Sequence, residues 1–195
     1  MKKRAILIFG LLVMGSMVFA YDLSVGGGLL FGYVNDKWED FGASWDEPRD
    51  LTFSRMQFGG FAFFGTRYTE FNFTIRLSNN DIERRRKYGA RETDNFSDTL
   101  LALSVGGYAK YPFTLSETFV LFPTIGIDFD ATEDLLYLWF RGGVGIDYFF
   151  SERFFLRGQA LYGYGINLPY VIYPTDFTIK PGHGPLFKVG LGWMF

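Results

Sequence analysis

The chain has no cysteine in its 195 residues. No disulfide framework and no thiolate metal site can form, so an exported protein of this sequence must hold together by backbone pairing and packing alone. Histidine is nearly absent as well. His183 stands alone, and no metal-ligand spacing appears anywhere. Long apolar runs are missing beyond the N-terminus. No second stretch reaches the ~18 consecutive apolar residues of a spanning helix, so no helix is expected to cross a bilayer later on. Excess charge is small, with a formal net charge of −2, and no basic face is available in bulk for nucleic acid. Gly26-Gly27-Gly28 does not form a phosphate loop, because no helix follows it.

Aromatics and glycine are abundant instead, with 24 Phe, 12 Tyr and 24 Gly. A soluble domain of this size rarely carries so many aromatics, whereas a lipid-facing surface with aromatic girdles uses them. The N-terminus fits an exported protein. Lys2, Lys3 and Arg4 form a basic head, Ala5 to Met14 is an apolar run, and Gly15, Ser16, Val18 and Ala20 are small residues ahead of a cut. Residues 1–20 are therefore expected to be a cleavable secretory signal peptide, with 21–195 as the mature domain. Removing those three basic residues from 19 leaves 16 Lys and Arg against 21 Asp and Glu, a formal charge of −5.

Eight segments of alternating character follow. The most telling is the last, Leu186 to Phe195. Phe187, Val189, Leu191, Trp193 and Phe195 share one face, and Lys188, Gly190, Gly192 and Met194 share the other. Tyr68 to Ser78 alternates as cleanly, with Phe71, Phe73, Ile75 and Leu77 opposite Glu70, Asn72, Thr74 and Arg76. The others are Asp22–Tyr33, Phe53–Phe64, Leu100–Tyr111, Phe119–Asp130, Leu136–Phe150 and Phe154–Ile166. In the first, Leu30 is out of phase with its polar and glycine face. In the second, Met56, Phe58, Gly60, Ala62 and Phe64 are placed outward, sending Arg55 and Gln57 inward. Pro123, within the fifth, predicts a bulge or bend.

Short connectors near Gly65-Thr66-Arg67, Pro112–Thr118 and Ser151-Glu152-Arg153 alternate with mostly longer ones, Val34–Thr52, Asn79–Thr99 and Asn167–Gly184; Ala131–Asp134 is the short exception. Together these features predict an all-β fold, an eight-stranded antiparallel up-and-down transmembrane β-barrel. Closure is forced, because an open edge in hydrocarbon leaves amides unpaired at several kcal/mol each. A barrel of eight strands has an interior just wide enough for side chains to fill.

The inward faces carry charge. Glu70, Lys110, Asp147 and Arg157 are expected toward the periplasmic half, and Arg55, Arg76, Asp128, Arg141 and Lys188 toward the outer half. Buried charges persist only when paired and hydrogen-bonded, so a packed ionic plug is the expected role; a gated or ligand-binding pore lined by the same residues is the alternative. The first long connector is acidic and carries Trp38 and Trp45. The second holds the basic run Arg84-Arg85-Arg86-Lys87. These residues are candidates for surface interaction, although two solvated hairpins that attract each other would show the same pattern.

With its leader, alternating segments and terminal Leu191-Gly192-Trp193-Met194-Phe195, the mature chain resembles the small eight-stranded bacterial outer-membrane proteins, of the OmpA transmembrane-domain, OmpX and OmpW type. The resemblance implies that Val189, Leu191, Trp193 and Phe195 are read by the barrel-assembly machinery, and that the protein is a monomer in contact with outer-membrane lipid. It implies a non-enzymatic structural role, with loops open to adhesion or to a host or extracellular ligand, and no cofactor. A narrow conduit for small hydrophobic molecules is the alternative, and the interior charges count against it. Some barrels of similar size modify lipid acyl chains with a His beside Ser or Asp; no Ser need neighbour His183 here. A soluble exported barrel of lipocalin kind would bury Phe71, Phe73, Ile75 and Val189 and expose Glu70, Arg76 and Lys188.

Overall fold

The computed structural model describes residues 22–40, 49–86, 93–132, 136–168 and 177–195. Residues 1–20, expected from the sequence to be a signal peptide, and Trp45 and Lys87 lie outside them. Eight long strands form: β1 (Ser24–Asp40), β2 (Arg49–Gly65), β3 (Thr69–Arg86), β4 (Thr93–Lys110), β6 (Phe119–Ala131), β7 (Leu136–Phe149), β8 (Phe154–Leu168) and β10 (Gly182–Met194). Two short ones accompany them. The first, β5 (Phe113–Thr114), pairs with β6, and the second, β9 (Phe177–Ile179), pairs with the far end of β1. Each long strand is antiparallel to its neighbours in chain order. The sheet closes on itself where β1 meets β10, from Ser24↔Met194 to Gly32↔Leu186. This is the up-and-down barrel that the alternation predicts.

The barrel is inside out. Phe73, Ile75, Leu77, Val189 and Leu191 lie on the surface, and Leu29 and Ile125 are 61% and 69% exposed. Glu70, Arg76 and Lys188 are each 1% exposed. A lipocalin-like arrangement would reverse these values, so the apolar surface is one that only hydrocarbon satisfies. Aromatic rings collar the end that carries the short turns. Tyr68, Tyr111 and Phe113 make successive tilted contacts at 6.4 and 5.0 Å, Phe119 meets Tyr148 at 4.8 Å, and Phe154 lies between Phe150 and Trp193 at 6.0 and 4.0 Å. Rings of this kind sit at the level where hydrocarbon gives way to polar headgroups.

The interior is filled by side chains. Leu30, out of phase in the sequence pattern, packs inside with Phe61, Phe63, Tyr108, Phe155, Leu161 and Leu186. Glycines supply the room. At the β1–β10 seam, a Cβ on Gly28 would overlap the Val189 carbonyl oxygen and the Gly190 Cα, so only glycine lets these strands approach.

Two expectations are corrected. The connectors Val34–Thr52 and Asn79–Thr99 are largely strand. The β1–β2 ladder continues to Glu39↔Asp50, and the β3–β4 ladder to Arg85↔Thr93. Backbone pairing outlasts the apolar alternation because it needs no hydrophobic face. Trp38 and Arg84, Arg85 and Arg86 thus belong to strand extensions rather than to loops. Pro123 makes no bulge. The β6–β7 register passes through Pro123↔Val144 unbroken. The missing N–H is absorbed on the other edge: β4 ends at Lys110, Tyr111 still donates to the Pro123 carbonyl at 3.1 Å, and pairing resumes in β5.

Candidate functional site

The charged side chains of the interior gather into three groups along the barrel. The first lies toward the short-turn end. Glu70 of β3 accepts from Arg157 Nη1, from Lys110 Nζ at 3.2 Å, from Asn72 Nδ2 at 2.9 Å and from Gln159 Nε2 at 3.4 Å. Arg157 also donates through Nε and Nη2 to the two oxygens of Asp147 at 2.7 and 2.6 Å, a bidentate pair across the β7–β8 hairpin. Its guanidinium carbon stands 4.4, 5.1 and 5.0 Å from the ring centres of Phe63, Phe122 and Phe155. Two cations therefore balance two carboxylates inside an aromatic sleeve.

The middle group holds Asp128, Asp130, Arg76, Arg141 and Lys188. Arg141 Nε and the Tyr108 hydroxyl each donate to Asp128 Oδ2 at 2.6 Å, and Arg76 pairs with Asp130. Arg141 lies 4.6 Å from the Trp139 ring centre. Lys188 forms no ion pair with a carboxylate among the described residues. It projects between the rings of Tyr108 and Phe61, at 5.0 and 5.5 Å, where ring quadrupoles supply part of the missing compensation.

The third group lies nearest the extended strands. Arg55 pairs with Asp36 and donates to the Tyr137 hydroxyl at 3.1 Å, and that hydroxyl donates to Asp36 at 2.9 Å.

All nine interior charges picked from the sequence, Arg55, Glu70, Arg76, Lys110, Asp128, Arg141, Asp147, Arg157 and Lys188, are buried within the barrel. Asp36, Asp130, Tyr108 and Tyr137 complete the groups and were not among them. The signal for Asp36 was present: it follows Ser24, Gly26, Gly28, Leu30, Gly32 and Val34 at every second position, inward throughout. Counting parity past the last apolar residue would have found it.

Elsewhere the chemistry is sparse. His183 lies on the outward face, its Nδ1 3.0 Å from the Tyr162 hydroxyl, and no described Ser, Asp or Glu side chain bonds to it. No group of three or more metal-ligating side chains occurs among the described residues. Of the terminal residues, Val189, Leu191 and Phe195 are exposed outward, and Trp193 is half-buried against Phe154. The side chains of Trp38, Arg84, Arg85 and Arg86 are not described, but the register sets Asp50 opposite Arg85 and Arg84 opposite Asp94.

The charge is sealed within and the apolar surface faces out. The chain is an eight-stranded transmembrane β-barrel. No family model and no curated protein matches its sequence. Among solved structures it is similar to neisserial surface protein A, at 14% identity over 89% of this chain and 97% of that one, with a TM-score of 0.44. It is also similar to the outer membrane protease OmpT from Escherichia coli, at 8% identity over 91% and 98%, with a TM-score of 0.41. A third is Ail, the attachment invasion locus protein of Yersinia pestis, solved with the heparin analogue sucrose octasulfate. It is 10% identical over 88% and 99%, with a TM-score of 0.28.

Proposed function

We propose that this barrel is a non-enzymatic integral protein of the bacterial outer membrane. Its lumen is closed by ion pairs, and the extensions of β1 to β4 present a binding surface outside the cell. The observation that carries this reading is the inversion of the barrel: lipid is the one medium that accepts the outward Leu, Ile, Val and Phe, while the charges within, Lys188 apart, are held in ion pairs. A through-channel for hydrophobic molecules would need an apolar bore, and among the described residues this one holds six cations, Arg55, Arg76, Lys110, Arg141, Arg157 and Lys188, and five carboxylates, Asp36, Glu70, Asp128, Asp130 and Asp147.

The two ends differ, and that difference supports an orientation. One end has tight turns, such as Thr66-Arg67 and Ser151-Glu152-Arg153, beneath the aromatic collar. The other carries β1–β2 and β3–β4 well past the last outward apolar residues, Tyr33, Met56, Leu77 and Leu101. Short turns toward the periplasm and long hairpins toward the outside is the usual sense of such barrels. The β1 extension ends in Glu39 and Asp40 and the β3 extension in Arg84, Arg85 and Arg86, and a host or extracellular ligand would meet that mixed surface.

Trypsin on intact cells tests the reading. Cleavage is expected at the Arg84-Arg85-Arg86-Lys87 run, with Arg67 and Arg153 cut only after the outer membrane is permeabilised. Cleavage at Arg67 and Arg153 in intact cells would reverse the orientation, and extraction of the protein without detergent would remove the membrane assignment.

A further inference from the structure

We propose that the short-turn mouth of the barrel is a binding site for small amphipathic carboxylates. A cavity of about 260 Å³ opens there, between the Thr66-Arg67 turn, Thr114 of β5 and Met194 at the end of β10. It has roughly the liquid volume of nine waters, the size of benzoate or hexanoate. One side is apolar, built from Phe122, Phe149, Phe155 and Met194. The surface it offers comes from half-buried Phe149 and Met194, and Phe155, 0% exposed, packs against Phe149 at 5.2 Å and holds it in place.

The other side is formed by Lys110, Arg157 and Asp147, all buried. Their hydrogen bonds do not balance. Lys110 has three N–H donors and one described acceptor, Glu70. Arg157 has five donors and makes three described bonds. Both Asp147 oxygens already receive Arg157. The unused capacity facing the cavity is thus in donors, which favours an anionic head over an ammonium. Arg67 at the rim adds a further positive charge and half-buried Asp22 a negative one. A carboxylate head on Lys110, with its ring or short chain against Phe149 and Met194, uses both walls at once. The proposal does not depend on which compartment this mouth faces.

Methionine methyl resonances read the site directly. Met194 lines the cavity, whereas Met56 lies on the lipid-facing surface of the opposite half. With the protein in lipid nanodiscs and ¹³C-methyl methionine, benzoate and hexanoate are expected to shift the Met194 methyl saturably and leave Met56 unmoved. Inorganic phosphate, which lacks the apolar body, and benzyl alcohol, which lacks the charge, should not saturate over the same range. Lys110→Met is expected to weaken benzoate about tenfold, the size of one lost charge-assisted bond. Thr114→Trp, from an exposed position outside the ion cluster, should block the mouth. A Met194 methyl that stays still up to about 10 mM benzoate, weaker than any useful affinity, would overturn the proposal. So would equal binding of benzyl alcohol, or unchanged benzoate affinity in Lys110→Met. Should that variant fail to insert, undiminished binding in Thr114→Trp would overturn it alone.

Discussion

Glu70 is the residue on which the first ionic group turns. It takes four hydrogen bonds from three strands, β3, β4 and β8, and its removal leaves buried Lys110 and part of Arg157 without their carboxylate partner. Breaking a buried pair from one side costs about 3–5 kcal/mol, because the uncompensated charge remains. Glu70→Ala should therefore lower the unfolding free energy of the barrel in lipid vesicles by that amount, whereas Glu152→Ala, exposed in a turn, should leave it within about 0.5 kcal/mol. Equal midpoints for the two variants would mean that the group contributes nothing to stability. Glycines divide in the same manner. Gly28→Ala drives a methyl into the backbone of β10 and should cost about 1–3 kcal/mol. Gly142→Ala, whose nearest neighbour to the new carbon would be the Thr124 carbonyl oxygen at 3.9 Å, should be nearly neutral. Urea unfolding of both in the same lipid separates a seam that needs close approach from a lipid face that does not.

At the scale of the strand, what could be read from the sequence was whatever repeats every second residue. Phe71, Phe73, Ile75 and Leu77 against Glu70, Asn72, Thr74 and Arg76 fixes a face without knowledge of any neighbour, and so does Phe187, Val189 and Leu191 against Lys188 and Gly190. The contact between Asp147 and Arg157 spans one hairpin and follows from turn position. Arg157 and Glu70, 87 residues apart, meet across the bore, and such a partner depends on how the closed sheet is staggered, which no local pattern encodes. The strand extensions were hidden for another reason. Asn79, Asn80 and Asp81 are polar on both faces, so alternation stops where lipid stops while the ladder continues. Pro123 misled because a residue's N–H points to one neighbouring strand only, and here that is the β4–β5 edge, where the ladder is already interrupted. The last strand yields a prediction of its own. If Val189, Leu191, Trp193 and Phe195 are read during assembly, Phe195→Ser should lower the amount of folded barrel in cells several-fold yet leave its unfolding midpoint nearly unchanged, since Phe195 is 69% exposed and lies past the β10 ladder. A matching loss of stability in purified protein would assign the effect to packing rather than to recognition.

For the whole molecule, the question is whether the lumen passes anything. An eight-stranded cylinder has room for one layer of side chains, and here that layer alternates buried rings with ion pairs from one end to the other. Phe63, Phe122 and Phe155 surround Arg157, Phe61 and Tyr108 flank Lys188, Trp139 covers Arg141, and Tyr137 caps Arg55. A hydrated ion crossing this stack would have to part each pair in turn, and each is screened from salt by its burial. Planar bilayers containing the purified barrel should therefore show no steady openings, and raising the salt should not produce them. Truncating the lower cluster alone, as in the double variant Glu70→Ala with Arg157→Ala, should still give a closed trace, because the middle group and its rings remain in series. Opening would then require loss of Arg76, Arg141 and Trp139 as well. Steady conductance from the unmodified protein would show instead that the ion pairs exchange partners fast enough to form a path, making the same residues a gate rather than a seal.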